Sequence, residues 1–134
     1  MMDILLDTHL AYWYLLGDES IPPMAKAMIE DPNNFVFVSL VSAWEIGIKH
    51  AKHPQEMPVD AATFVEACRE VGFTVLPIVE DQLLEAMKIE TPEGLKHGDP
   101  FDRFLLGAAN ALKMRFLSHD RKIGLYQSQY ILFI

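Results

Sequence analysis

Apolar residues along this chain fall into short continuous runs that alternate with longer stretches of helical spacing. Ile4 to Leu6 predicts a strand, and His9 to Leu16, closed by Gly17, predicts a helix. A second helix is expected to carry Pro22 or Pro23 in its first turn and to stop before Pro32, leading into the strand Phe35 to Val38. Val41, Trp44, Glu45 and Ile48 then fit the i, i+3, i+4, i+7 template of a single buried helix face. The stretch from Pro54 to Pro58 predicts a loop between helices. Beyond it come a helix over Ala61 to Val71, a strand over Thr74 to Leu76, a helix over Glu80 to Ile89 and an irregular polar segment, Glu90 to Gly98. The next helix opens at Asp99-Pro100-Phe101-Asp102 and runs to Leu112, with Gly107, Ala108, Ala109 and Ala111 permitting close packing. Phe116 to Ser118 predicts a short strand, and Tyr130 to Ile134 a final edge strand.

Strands alternating with helices imply an α/β fold with a central, mainly parallel sheet of four to five strands covered on both faces. Such open sheets bind ligands beyond the carboxyl ends of their strands. The 134 residues, 51% of them hydrophobic, suit one domain over 1–134 with a core that needs no disulfide or zinc staple. Cys68, in the apolar pattern Phe64, Val65, Cys68, Val71, is expected to be a small buried side chain in a reducing, cytoplasmic setting. The run Ile4 to Leu16 lacks a basic leader, carries Asp7 and His9 and is too short to span a bilayer, so no membrane association is expected.

A net charge of -8 argues against a protein that grips nucleic acid by a broad basic surface. It does not exclude a nuclease. Four acidic motifs, Leu5-Leu6-Asp7-Thr8, Ser42-Ala43-Trp44-Glu45-Ile46, Asp99-Pro100-Phe101-Asp102 and Ser118-His119-Asp120, place carboxylates where apolar elements begin or end. Asp7 and Asp120 map to strand carboxyl ends, Asp102 to a first helical turn and Glu45 to an apolar stripe that obliges it to find a partner or take up a proton. Carboxylates crowded at the edge of a core repel one another and lose hydration, which makes sense chiefly around a hard cation. With those four set against a cation, 11 basic side chains face 15 acidic ones, and Lys49, Arg103 and Arg121 lie near enough to the motifs to contact a substrate phosphate.

Each residue also has a purely structural reading. Asp99 suits an N-cap, with Pro100 at the first helical position, and Asp102 suits a turn where the helix dipole favours negative charge. Arg103 can pair with Asp102 as readily as with a phosphate. Thr8, Ser39, Ser42 and Ser118 can orient carboxylates or cap helices. His50 and His53, one turn apart, raise a zinc alternative, but no cysteine or third histidine has matching spacing, and a carboxylate set favours magnesium or manganese.

Leu5-Leu6-Asp7-Thr8-His9, Ser39 with Ser42-Ala43-Trp44-Glu45-Ile46 and Lys49, His97-Gly98-Asp99-Pro100-Phe101-Asp102-Arg103, and Ser118-His119-Asp120 together resemble the PIN-domain ribonucleases, closest to the VapC-type toxins of bacterial toxin-antitoxin pairs. The resemblance runs in order over essentially the whole chain. It implies a PIN-like three-layer α/β/α sandwich and an acidic magnesium site of Asp7, Glu45, Asp102 and Asp120. It further implies hydrolysis of RNA phosphodiesters, a homodimer, and inhibition by a cognate antitoxin. Ser118 stands where many relatives carry threonine and keeps the hydroxyl. The competing readings are a PIN-like binding module without catalysis, disfavoured by the four acids, and a magnesium phosphatase. The latter is disfavoured because no Asp-x-Asp pair follows the first strand.

Overall fold

The structure, a computed structural model, describes residues 1–96 and 98–134. Among them the elements run β1 (Asp3–Leu6), α1 (Thr8–Leu16), α2 (Pro23–Glu30), β2 (Phe35–Ser39), α3 (Leu40–Lys52), α4 (Ala61–Glu70), β3 (Thr74–Leu76), α5 (Glu80–Lys88), α6 (Pro100–Leu112), β4 (Arg115–Ser118), a 3₁₀ turn (Ile123–Leu125) and β5 (Ile131–Phe133). The five strands form one sheet in the order β3-β2-β1-β4-β5, every pair parallel. The expected strand count and direction hold, and the terminal strand lies at an edge.

Side chains alternate across a strand, so β1 sends Ile4 and Leu6 to one face and Leu5 to the other. Ile4, Leu6, Val36, Val38 and Leu117 pack with Leu10 and Ala11 of α1, Ala25 and Ile29 of α2 and Phe64 and Cys68 of α4. Leu5 and Phe116 pack instead with Leu105, Leu106, Ala108 and Ala109 of α6. Two helical layers therefore sandwich the sheet. Helix α3 serves both, giving Ala43 and Ile46 to the first layer and Val41 to the second.

Local chemistry fixes the element ends. Gly17 closes α1 in the left-handed region, at φ 64°, where a glycine carries no Cβ clash. Lys113 closes α6 in the same region, at φ 57°, although it has no glycine's freedom. Gly107 is where α6 meets α5: a Cβ built there would lie 2.5 Å from the backbone nitrogen of Ala86. The small-residue run in α6 thus buries helix against helix at backbone contact.

Two details depart from the periodicity. Trp44 is 59% exposed and stacks edge-on against Phe101 with centroids 5.3 Å apart, while Ser42 is fully buried in its place. The Ser42 hydroxyl bonds that of Thr8 at 2.8 Å, which satisfies a buried polar group that apolar spacing alone cannot reveal. Val71, expected alongside Cys68, is 49% exposed because it is already the C-cap of α4. Cys68 itself is fully buried, and burial pushes its thiol up to about 12.

Candidate active site

Chain order in the sheet places β2 and β3 on one side of β1, and β4 and β5 on the other. Connections leaving β1 and β4 therefore diverge, and a crevice opens between their carboxyl ends. Asp7 directly follows β1 and Asp120 lies two residues beyond β4. Both line one recess of about 200 Å³, together with His9, Leu10, Trp13 and His119.

Asp7 is 3% exposed and occupies the N-cap position of α1, yet its carboxylate caps no backbone amide. It accepts instead a 2.6 Å hydrogen bond from the Ser118 hydroxyl. The same Ser118 oxygen accepts from the backbone amide of Asp120 at 3.1 Å, so one buried side chain ties the two strand-end acids together. Asp120 in turn accepts from the amide of Lys122 through Oδ1, a short Asx turn that fixes the chain as it leaves β4.

Glu45, 7% exposed, stands on α3. Lys49, one turn on, donates to Oε2 at 3.0 Å, while Oε1 is buried with no hydrogen-bond partner among the described residues. The partner required of a buried glutamate is thus half supplied. An orphaned anionic oxygen is costly in a protein interior, and it is the kind of donor a divalent cation would satisfy.

Asp102 enters from the first turn of α6. Burial, followed by the charges of Asp7, Asp99, Asp120 and Glu45, pushes its carboxyl up to about 8. Asp7 is raised as well, chiefly by burial; the Ser118 hydrogen bond and His9 oppose the rise, while Asp120 and Glu45 add to it. The four acids therefore share one electrostatic field. Among the described residues, however, no three His, Cys, Asp or Glu side chains form a ready-made ion cage. Their chemistry nevertheless fits a hard cation, since all are oxygen donors and one buried oxygen lacks a partner.

Asp99 has a different task. Its Oδ1 accepts from the amides of Phe101 and Asp102 at 2.8 and 3.2 Å, capping α6 and fixing the backbone from which Asp102 projects. Ser39 caps α3 by accepting from Val41 at 3.0 Å. Thr8 and Ser42 bond each other rather than a carboxylate and so link α1 to α3 beneath the site. Arg103 donates to the Thr91 hydroxyl at 2.5 Å instead of pairing with Asp102. Arg121 is exposed in the turn after Asp120. His50 is engaged by the carbonyl of Met57 at 2.8 Å, and His53 is the exposed C-cap of α3. His97, which opens the motif around Asp99, lies outside the described residues.

A family model for the PIN domain matches residues 4–127, which takes in β1 from Ile4 onward, every acid above and the turn after β4. The chain belongs to the PIN domain family. Its three-layer sandwich is also that of solved structures. VapBC2 from Rickettsia felis, crystallised with a DNA fragment from its promoter, superposes with a TM-score of 0.70 at 12% identity, over 98% of each chain. A toxin-antitoxin complex from Klebsiella pneumoniae gives 0.58 at 18% identity, over 96% of this chain and 95% of that one. VapBC-1 from nontypeable Haemophilus influenzae gives 0.59 at 18% identity, over 92% and 90%. Comparison with curated protein sequences gave no significant match.

Two features of this PIN domain escaped the sequence reading. His9 and Trp13 sit one turn apart on α1, and Trp13 meets His119 from the loop after β4; only the i, i+4 spacing of the first pair was visible beforehand. Tyr126 brings a buried hydroxyl, with no partner among the described residues, into the field of Arg103, Asp102 and Asp99. No local pattern signals that placement.

Proposed function

We propose that this PIN domain is a magnesium-dependent ribonuclease, the toxin of a toxin-antitoxin pair. What supports the reading is that Asp7 and Asp120 line one recess beside the β1/β4 divergence, and that the charges of Glu45 and Asp120 act on both Asp7 and Asp102 although the four come from separate segments. Four acids in one field are unfavourable for the fold alone. They are favourable once they share a cation.

Asp7, Glu45, Asp102 and Asp120 would hold Mg2+, with Mn2+ as an alternative. The ion, when bound, supplies positive charge that orients an RNA phosphate, activates a water and offsets charge on the leaving oxygen. The chain's own residues prepare the place. Ser118 locks the Asp7 carboxylate and the Asp120 backbone, Lys49 holds one oxygen of Glu45 and leaves the other open, and Asp99 anchors the turn that presents Asp102. Lys49, Arg103 and Arg121 supply basic groups for the phosphates on either side of the scissile bond.

A protein of net charge -8 would rely on these local contacts rather than on a basic face. The partners proposed are an RNA substrate, a small antitoxin and a second copy of the chain, in the cytoplasm. The kind of complex that the similar solved structures represent supports the antitoxin. Exposed Trp44, Leu83, Leu84 and Met87 offer apolar surface for such contacts. No helix among the described residues is long and apolar enough to cross a membrane.

The test is RNA cleavage. Wild-type protein is expected to cut RNA with Mg2+, to stop on chelation and to resume when Mg2+ is restored, while Asp7→Asn stays folded and inactive. Chelator-resistant cutting, or wild-type activity in Asp7→Asn, would overturn the reading.

A further inference from the structure

The recess that holds Asp7 and Asp120 also has an aromatic wall. Trp13 is its centre. The His9 ring lies 5.8 Å away on the same helix, and the His119 ring 6.4 Å away, edge-on, from the loop after β4. All three rings line the recess with the two acids. His9 and His119 are exposed and Trp13 is half-buried, so the wall faces solvent although its base is rooted in the core. His119 does not swing freely: its Nδ1 is engaged by the main-chain carbonyl of Ile134.

Exposed rings gathered beside an acidic site need a reason. Packing explains the root of Trp13 but not the two histidines, whose rings reach out from the core. About 200 Å³ is below the size of a pocket for a drug-sized ligand and suits a single flat heterocycle. RNA is read mainly in single-stranded segments, where splayed bases stack on Trp, Tyr, Phe or His. A base seated here would hang its own phosphates directly over Asp7 and Asp120.

We propose that Trp13, flanked by His9 and His119, is the stacking seat for one unpaired base next to the scissile phosphate. The inference rests on the ribonuclease reading and adds to it one substrate contact: a nucleotide anchored by its π-face on Trp13 rather than by hydrogen bonds to its edge. A stacking seat accepts every base, so selectivity at that nucleotide is for being unpaired, not for identity.

The experiment uses full-length protein and a set of single-stranded RNA oligonucleotides that share one cleavage site, each with one abasic nucleotide at a different position. Wild type is expected to lose about 10- to 100-fold in kcat/KM when the abasic nucleotide falls at one position adjoining the cut. Trp13→Ala should show a similar loss on intact RNA and no further loss at that abasic position, whereas Trp13→Phe should retain most activity and the positional effect. A Trp13→Ala defect that simply adds to the abasic defect would overturn the proposal, as would a wild type indifferent to every abasic position. If wild type cuts no RNA, the ribonuclease reading fails separately. Fluorescence then decides the seat: in a Trp44→Phe background, quenching of Trp13 by the intact oligonucleotide that is lost with an abasic nucleotide at one position and kept at the others supports it, and absence of quenching, or quenching that no abasic position alters, refutes it.

Discussion

Replacing Asp102 by asparagine should make the metal-free protein more stable, and by an amount that depends on pH. An unfolded aspartate gives up its proton near 3.8, while in the fold burial and four neighbouring acids move that event to about 8. Between those values the folded chain binds more protons than the unfolded one, so stability falls as pH rises through the window and levels off above it. At about 1.4 kcal/mol for each tenfold in proton affinity, the full gap sets an upper limit of about 6 kcal/mol. Asp102 is half-buried and solvent screens part of its interactions, which leaves about 2 to 3 kcal/mol. Asparagine keeps the shape and cannot ionise, so Asp102→Asn should relieve that burden. For a domain of this size the gain corresponds to a rise in Tm of about 6 to 9 °C at pH 8 in chelator. It should shrink to about a quarter at pH 5, where wild-type Asp102 is already protonated in the fold. Circular-dichroism melts of both proteins across that range, with and without Mg2+, provide the assay. Mg2+ should raise the wild-type Tm more than the variant's. A variant no more stable than wild type at pH 8, or one whose advantage is the same at pH 5, would refute the claim that Asp102 sits in a shared acidic field.

Other substitutions probe the scaffold. Gly107→Ala should destabilise by about 1 to 3 kcal/mol in urea titrations, because its Cβ would meet the backbone of Ala86; an unchanged midpoint would mean that α5 and α6 are not in backbone contact. Asp99→Asn should preserve stability and RNA cleavage, since asparagine still caps a helix, whereas Asp99→Ala should lose about 1 kcal/mol. Activity abolished in Asp99→Asn would make its charge, not its cap, the essential property. Ser118→Ala should lower the RNA-cleavage rate substantially without unfolding the chain, because Asp7 loses its 2.6 Å donor and the Asp120 amide its acceptor. An unaltered rate would remove Ser118 as a positioning residue.

The central strands were legible because parallel strands covered on both faces read as continuous apolar runs, as at Ile4–Leu6 and Val36–Val38, and the half-exposed edge strands because they too are short apolar runs, as at Ile131–Phe133. Helix ends were legible wherever a residue type has a conformational reason to be there, such as Gly17 in the left-handed region or Asp99-Pro100 at the start of α6. Trp44 was misplaced because the inner face of α3 is lined partly by polar groups that bond each other; a buried Ser42 looks exposed to any hydrophobic pattern, and an exposed Trp44 looks buried. The four acids stand out in the sequence as candidates. Their mutual placement depends on the strand order about β1, which chain order alone does not dictate. The least legible part was the wall around Trp13, because His119 comes from a loop more than a hundred residues away and is oriented by the carbonyl of Ile134.

All of this turns on whether Asp7, Glu45, Asp102 and Asp120 act as joint ligands of a divalent ion. The most direct measurement is titration of the protein with Mn2+, following the electron paramagnetic resonance signal of the free ion, for wild type and for Asp7→Asn, Glu45→Gln, Asp102→Asn and Asp120→Asn. Wild type should remove Mn2+ from solution saturably and release it to excess Mg2+, and each variant should bind at least tenfold more weakly. Affinity undiminished in all four variants, or a wild type that leaves the free-ion signal untouched, would contradict the account.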